Sequence, residues 1–252
     1  ILKNAKVLHD SKAIGLDATH IESQIRTIAT AKNITFSPEQ KQAVISSCSN
    51  THLSLIQGRA GTGKTTLATA IARSYETAGY KVMVTSFQGK AVEIAKHEVG
   101  IQGDTLHGLF QSWNRLEALT HLAKNEEMIT PARDLLEQKI AALKAHELDD
   151  KTVVLVDEAN MVGNALWAPL MERASSKGAK LVIMGDPSQI LSLEGGDILR
   201  ALHQQYEASD LTQIIRQRDP VQRQATLALS QHHMRQGLGS YEATGHLKWT
   251  PT

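Results

Sequence analysis

The stretch GRAGTGKTT at residues 58–66 constrains this chain most, because it fixes a local fold as well as a class of ligand. It matches the spacing G-x-x-x-x-G-K-[ST], in which glycines let the backbone turn several N–H groups towards one point. Residues 52–57 form a short apolar run that predicts a buried strand, and the alanine-rich residues 65–78 predict a helix. The amino terminus of that helix adds about half a positive charge at the same point. Strand, loop and helix together predict a site for phosphate groups.

The side chains of the loop indicate which phosphates are bound. Lys64 would reach the β- and γ-phosphates of a nucleotide such as ATP, and the Thr65 hydroxyl would help to hold Mg²⁺. The alternative is a glycine-rich turn that matches the spacing by accident, and the flanking strand and helix argue against it. The predicted nucleotide-binding residues of the loop are Gly58, Ala60, Gly61, Thr62, Gly63, Lys64, Thr65 and Thr66.

Two adjacent acidic residues end a second buried strand. In TVVLVDE at residues 152–158, four apolar residues precede Asp157 and Glu158. We expect Asp157 to organise Mg²⁺ through its water shell and Glu158 to orient or deprotonate the attacking water. Neighbouring carboxylates at a strand end are unfavourable without a nearby cation, which favours this interpretation over a plain surface turn.

Two later motifs would complete a hydrolytic site. A predicted strand at 181–186 is followed by Gln189, which can bond to the γ-phosphate or to the attacking water. A last predicted strand near 210–215 runs into Arg216, which would stabilise charge on the γ-phosphate in the transition state. The alternative is that Arg216 and Arg218 are merely solvated.

Thr85 and Ser86, at the end of the strand predicted at 81–87, and Lys90 beyond it suit the backbone phosphates of a nucleic acid. They lie at the carboxyl end of that strand, the edge at which ligands bind in open α/β sheets. The alternative for Lys90 is an ordinary strand-to-helix turn with a solvated lysine. The alternative for His107, in the helix predicted to start within 104–110, is a structural or surface histidine. The candidate DNA contacts are Thr85, Ser86, Lys90, Thr105 and His107.

The sequence SPEQ at residues 37–40 predicts a helix start ahead of the phosphate loop. Ser37 suits the N-cap, Pro38 suits the first helical position, and Gln40 completes a capping box. Capping therefore explains Gln40 without any ligand.

Charge and cysteine content limit the partners. The net charge is +1, so a nucleic-acid site would be a local patch rather than a polycationic surface. The single cysteine, Cys48, excludes an internal disulfide and fits a reducing compartment, which predicts a cytoplasmic protein. The sequence contains no run of 18 apolar residues, so it predicts no membrane span. The chain opens on Ile1 rather than Met, which predicts a fragment of a longer protein.

Taken in order, these motifs resemble the RecD-like branch of superfamily 1 DNA helicases, and in particular the helicase segment of conjugative relaxases of the TraA and TraI type. The resemblance covers roughly residues 36–250 and is specific as an ensemble. The matching pieces are Gln40, GRAGTGKTT at 58–66, TSFQGKA at 85–91, TLHGLF at 105–110, VLVDEANMVG at 154–163, GDPSQ at 185–189 and IIRQR at 214–218.

The alternation of helices and strands predicts an α/β fold with a mainly parallel sheet of five or more strands and helices on both faces, and the resemblance implies that this is the three-layer P-loop NTPase (RecA-like) fold. It makes residues 37–252 the first RecA-like helicase domain, with a helical insert at about 112–150, and leaves residues 1–36 as a helical connector. ATP, Mg²⁺ and single-stranded DNA are the implied ligands, and the complete motor would translocate 5′→3′. It also makes Gln40 an adenine contact, so that capping and nucleotide binding both stay open for this residue.

Two departures from the family pattern limit what this chain would do alone. The motifs of the second RecA-like domain are missing, and there is no His-x-His or tyrosine cluster of a relaxase nuclease. Both domains are therefore expected as partners from the parent chain. Other readings are a degenerate helicase-like module that binds DNA or a transfer signal without ATP turnover, and a P-loop kinase or non-nucleic-acid ATPase. A module without ligands would leave the phosphate loop unexplained.

Overall fold

A parallel sheet lies at the centre of the computed structural model, which describes residues 1–13, 15–59, 61–124, 130–186, 198–213, 220–230, 233–245 and 247. Its strands are β1 Leu53–Gly58, β2 Lys81–Ser86, β3 Gly103–Thr105, β4 Thr152–Asp157, β5 Lys180–Gly185 and β6 Ala208–Leu211. Their order across the sheet is β3-β2-β4-β5-β1-β6, and every neighbouring pair is parallel. All the carboxyl ends therefore meet at one edge.

Helices connect the strands and cover both faces of the sheet. Within the described residues they are α1 Leu2–Asp10, α2 Ala18–Lys32, α3 Pro38–Ser47, α4 Lys64–Thr77, α5 Gly89–Val99, α6 Leu106–Leu122, α7 Thr130–Lys144, α8 Asn164–Lys177, α9 Ile198–Gln205, α10 Pro220–Ser230 and α11 Met234–Ala243. In the same part of the chain, no helix combines the length and the apolar character that crossing a bilayer requires.

The core has two halves because successive strand residues point to opposite faces. In β4, Val154 and Val156 pack with helices α1, α6, α8 and α9, whereas Val153 and Leu155 pack with α2, α3 and α4. A strand buried on both faces reads as a continuous apolar run, as β4 does. The predicted three-layer α/β fold, with a parallel sheet between helices, is confirmed.

The amino-terminal segment contributes to both halves of this core. Ala5 and Leu8 of α1 are buried in the half that contains α8, and α1 contacts both α8 and β1. Ile21 and Ile25 of α2 are buried against the half that contains α4. The segment predicted as a connector therefore supplies packing to the sheet, although the division of the chain at residue 36 stays a proposal.

Helices α6 and α7 pack on each other in the region predicted as a helical insert. The Trp113 indole N–H donates to the His146 carbonyl at 2.6 Å, which ties the end of the insert back to α6. The guanidinium of Arg173 in α8 lies 4.7 Å from the centre of the Trp113 ring and binds Glu117 at 2.8 Å. These contacts give the insert a packing role on the α8 side of the sheet.

A buried lysine lies at the opposite edge from the phosphate loop, where β5 begins. Lys180 is only 3% exposed, and its ammonium donates to the backbone carbonyls of Ser49, at 3.1 Å, and of Thr51. Burial lowers the pKa of Lys180 to about 8, because the charged form loses its hydration. The folded chain therefore releases this proton more readily than the unfolded chain does.

We predict that stability contributed by Lys180 rises with pH between the folded pKa of about 8 and the unfolded value of 10.5. In this window the unfolded state binds more protons, so raising the pH favours folding. Relative to Lys180→Met, the wild-type free energy of unfolding should gain on the order of 2 kcal/mol from about pH 7.5 to about pH 10. Urea unfolding across that range measures the gain. The exposed Lys151→Met variant is the control, and its free energy of unfolding should change with pH as that of the wild type does. If the free energy of unfolding of Lys180→Met changed with pH in the same way as well, the prediction would be contradicted.

Candidate nucleotide-binding site

The phosphate loop joins β1 to α4 through glycines whose backbone or packing requires them. Gly61 and Gly63 have φ values of 84° and 88°, in the left-handed region that a Cβ disfavours. Gly58 has a different reason, since a Cβ there would lie 2.7 Å from the Thr62 hydroxyl and 3.1 Å from Cβ of Leu211. The Thr62 hydroxyl in turn donates to the Arg59 carbonyl at 2.8 Å. The loop is therefore tightly closed at its base.

Lys64 opens α4, and its side chain turns back over this loop. Its ammonium donates to the Gly58 carbonyl at 2.7 Å and lies 3.5 Å from the Arg59 carbonyl. Thr65 and Thr66 follow on the first turn of the helix and are partly exposed. Lys64, Thr65 and Thr66 thus lie together at the start of α4, next to the loop. Ala60, also predicted to bind nucleotide, lies outside the described residues.

Gln40 is bonded to the helix start and to the phosphate loop at once. Its carbonyl accepts the Ser37 amide at 2.9 Å, and the Ser37 hydroxyl accepts the Gln40 amide, so the capping box is confirmed. The amide group of the same side chain donates to the Thr62 carbonyl at 2.9 Å. Gln40 is 3% exposed. Sequence reasoning missed the bond to the loop, and the adenine contact stays a prediction.

The two acids end β4 at the same sheet edge. Burial raises the pKa of Asp157. The backbone amide of Glu158 donates to the Asp157 carboxylate at 2.9 Å and lowers this pKa, whereas the charge of the neighbouring Glu158 side chain raises it. The charge of Lys64 acts on the same carboxyl and lowers its pKa. Lys64 and Asp157 therefore share one electrostatic environment, in which a bound cation would favour the ionised carboxylate.

Glu158 has an unusual backbone. Its φ of 49° and ψ of 45° lie in the left-handed region, immediately before the short 3₁₀ turn Ala159–Met161. Such a conformation costs a residue with a Cβ about 1–2 kcal/mol and is concentrated at functional sites. The chain therefore turns sharply at Glu158, directly after the end of β4.

We predict that Glu158→Gly is more stable than Glu158→Ala by about 1 kcal/mol, because glycine has no Cβ to strain in the left-handed region. Both variants lack the carboxylate, so the comparison isolates the backbone. Urea unfolding of the two variants under one set of conditions measures the difference. An alanine variant as stable as the glycine variant would mean that residue 158 is not held in this conformation.

Strand register brings the end of β5 to this edge. Gln57 lies opposite Gly185, so β5 ends between the phosphate loop and the acids. Asp186, which follows, is 4% exposed. Gly185 is closely surrounded, because a Cβ there would lie 2.7 Å from Cδ2 of Leu199 and 3.3 Å from Cβ of Ala159. The predicted Gln189 and Arg216 both lie outside the described residues.

The candidate DNA contacts divide into buried and exposed groups. Thr85 and Ser86 are 1% and 0% exposed, so their hydroxyls are not open to a DNA backbone in this conformation. Lys90 and His107 are exposed, and the His107 ring lies 6.0 Å from the ring of Phe87. Thr105 caps α6 by accepting the Gly108 amide at 3.0 Å. The structure thus places a lysine and a histidine on the surface beyond β2 and β3, and the DNA contacts stay a prediction.

Comparisons with known proteins agree with these features. The family model described as AAA domain matches residues 35–252. The conjugal transfer protein TraA of Rhizobium radiobacter is 31% identical over 241 residues, which is 96% of this chain and 19% of that protein. The TraA protein of Agrobacterium fabrum is 32% identical over 230 residues, or 91% of this chain and 18% of that protein. The ATP-dependent RecD2 DNA helicase of Deinococcus radiodurans is 29% identical over 180 residues, or 71% and 22%.

This chain therefore spans about a fifth of the length of these relatives. Among solved structures, domain III of the Thermotoga maritima replication initiation protein DnaA matches with a TM-score of 0.38 and 16% identity, over 82% of this chain and 74% of that one. That likeness is too distant to carry an argument.

Proposed function

Because this chain belongs to the AAA domain family, we propose that it is the ATP-binding first motor domain of a DNA helicase within a longer conjugative transfer protein. The resemblance to RecD-like helicases and TraA-type transfer proteins that the sequence predicted is confirmed. One observation carries the proposal: the phosphate loop and the two acids meet at one edge of a parallel sheet, where the Lys64 charge acts on Asp157.

The residues at this edge fit a nucleotide with its metal. The loop amides and the start of α4 would hold the phosphates, and Lys64 would exchange its bonds to loop carbonyls for phosphate oxygens. Thr65 and Asp157 would hold Mg²⁺, which when bound would neutralise charge that develops on the phosphates. The pKa of Asp157, raised by burial, fits a carboxylate that is placed to face a cation.

Glu158 is the proposed base that orients or deprotonates the attacking water. Its carboxylate follows the β4 strand directly, on a backbone turned by the left-handed φ. Gln189 and Arg216 are proposed to complete the site, by bonding to the γ-phosphate or water and by stabilising transition-state charge, respectively.

Single-stranded DNA is the proposed nucleic-acid partner. Lys90 and His107 would contact it from the surface beyond β2 and β3, with Thr105 nearby and with Thr85 and Ser86 behind them in the sheet. The second RecA-like domain and the relaxase domain of the parent chain are proposed as intramolecular partners, with 5′→3′ translocation by the complete motor in the cytoplasm. Because translocation needs two domains that close on ATP, this domain alone would unwind little or nothing.

The test is ATP hydrolysis by this chain, with and without single-stranded DNA, measured beside its nucleotide affinity. Binding with little turnover is the expected result, because the other half of the ATP cleft would come from the second domain. Turnover stimulated by DNA would mean that the coupling and the arginine are already supplied here. Absence of nucleotide binding would overturn the proposal and favour a degenerate module in which the motif survives as scaffold.

A further inference from the structure

The hydroxyl of Ser86 is buried at the end of β2, although the sequence predicted it as a DNA contact. Its side chain is 0% exposed. In the described part of the chain its oxygen accepts the Gln88 amide at 3.4 Å, which is long for a hydrogen bond. That bond uses the oxygen as an acceptor and leaves the hydroxyl proton to be donated to another group.

Strand register places Ser86 directly opposite Asp157. The two residues are Cα partners and are the last residues of β2 and β4, which run parallel. Neighbouring strands lie about 4.8 Å apart. At this separation the Ser86 hydroxyl can reach the Asp157 carboxylate through a change of side-chain rotamer or through one bridging water.

Both side chains lie on the α4 side of the sheet. Val84 and Leu155, two residues before Ser86 and Asp157, are buried in the half of the core that contains α4. Residues two apart in a strand share a face, so Ser86 and Asp157 lie on this face as well. Helix α4 contacts both strands and begins at Lys64, whose charge acts on Asp157.

Thr85 lies on the other face of the sheet, although it is as deeply buried as Ser86. It shares that face with Met83 and with its own register partner Val156, both in the half of the core that contains α8. The two hydroxyls that the sequence grouped as DNA contacts therefore lie on opposite sides of the sheet. Of the two, Ser86 is the one that lies on the same face as Asp157.

A carboxylate that holds a metal is itself held by hydrogen bonds from neighbouring groups. Such partners fix the orientation of the ligand, and their loss typically reduces metal affinity about 10- to 100-fold. Mg²⁺ also keeps several of its waters, which need partners in the protein. The Glu158 amide gives the Asp157 carboxylate one such bond, at 2.9 Å. The Ser86 hydroxyl offers a second donor from the neighbouring strand.

We propose that Ser86 is a positioning residue of the metal site, which donates its hydroxyl proton to the Asp157 carboxylate directly or through a water. It thereby fixes the orientation in which Asp157 meets Mg²⁺. This inference rests on the proposed function, and it moves Ser86 from the DNA surface to the nucleotide site. Sequence reasoning could not make this assignment, because the register between β2 and β4 joins residues that are distant in the chain.

The test measures how the affinity for a fluorescent, non-hydrolysable ATP analogue depends on the concentration of free Mg²⁺. Ser86→Ala should need about tenfold more Mg²⁺ than the wild type to reach half of the full effect. In EDTA the two proteins should bind the analogue equally, which a general loss of structure would not allow. In an Asp157→Asn background, Ser86→Ala should cause no further loss, since it acts through that carboxylate.

Two comparisons make the result specific to this hydroxyl. Ser54→Ala removes another buried serine, near the start of β1 and away from the carboxyl edge, and should match the wild type. Ser86→Cys keeps the size of the side chain but replaces the hydroxyl by a weak donor, so it should behave like Ser86→Ala. If Ser86→Ala does not fold, the same titrations made with Ser86→Cys decide the matter.

Separate outcomes identify separate failures. If the wild type binds no nucleotide, or binds it without any dependence on Mg²⁺, the proposed function or its metal site is wrong and this inference falls with it. If the wild type depends on Mg²⁺ and Ser86→Ala responds identically, only the role of Ser86 is wrong. Binding of a labelled single-stranded oligonucleotide without nucleotide should be equal in both proteins. A loss of DNA affinity in Ser86→Ala with an unchanged response to Mg²⁺ would return this residue to the DNA surface and overturn the inference.

Discussion

Lys64→Ala is expected to reduce ATP hydrolysis by about a thousandfold or more, because it removes the side chain proposed to hold the β- and γ-phosphates. The fold should persist, since the bonds that the Lys64 side chain makes within the described part of the chain are to the Gly58 and Arg59 carbonyls of the loop. Those bonds are worth on the order of 1 kcal/mol, a small part of the stability of a domain this size. Steady-state turnover with circular dichroism melting of the same samples measures both effects.

The matched control for this experiment is Lys151→Ala. Lys151 is exposed and precedes β4 at the opposite edge of the sheet from the phosphate loop. Its loss should change neither turnover nor nucleotide affinity. If Lys64→Ala turned over ATP at the wild-type rate, the assignment of residues 58–66 as a phosphate loop would be wrong. If this chain alone proves too slow to assay, the same substitution is read in nucleotide affinity, which should fall.

The central strands could be predicted because their sequences allow few alternatives. A run such as 153–156, apolar at every position, fits a strand buried on both faces, and it lies within β4 as predicted. By contrast, the sequence did not predict β3, although the helix start predicted within residues 104–110 is confirmed by α6, which begins at Leu106. The strand is only Gly103–Thr105, it contains no apolar run, and it exists because its residues pair with the exposed edge of β2. Pairing of this kind depends on a neighbour distant in sequence.

That the candidate residues lie at one end of the sheet could be predicted better than the bonds that hold this region together. Lys64, Asp157 and Glu158 are set by short spacings around strand ends, and the parallel sheet brings those ends together. The bonds from Gln40 to Thr62 and from Glu39 to Thr212 cross between elements, so no local pattern indicates them. The burial of Thr85 and Ser86 also could not be predicted from the sequence, because serine and threonine are mostly exposed in folded proteins.

Glu158→Gln is expected to separate nucleotide binding from hydrolysis. The amide keeps the shape of the side chain but cannot accept a proton from water, so turnover should fall by about 10²- to 10⁴-fold. Affinity for ATP should stay close to that of the wild type, because the proposed phosphate contacts come from the loop and Lys64 rather than from this residue. Equilibrium binding of a fluorescent ATP analogue and phosphate release from the same protein measure the two quantities.

The comparison with Asp157→Asn makes this prediction specific to one of two adjacent acids. Asp157 is proposed to hold the metal, so its amide variant should lose Mg²⁺-dependent affinity for ATP as well as turnover. Glu158→Gln should lose turnover alone. The left-handed backbone at residue 158 turns the chain directly after β4, which fits two neighbouring acids with different proposed tasks. If nucleotide affinity vanished in Glu158→Gln, Glu158 would be a structural or metal-holding residue, and the base would have to be another group at this edge.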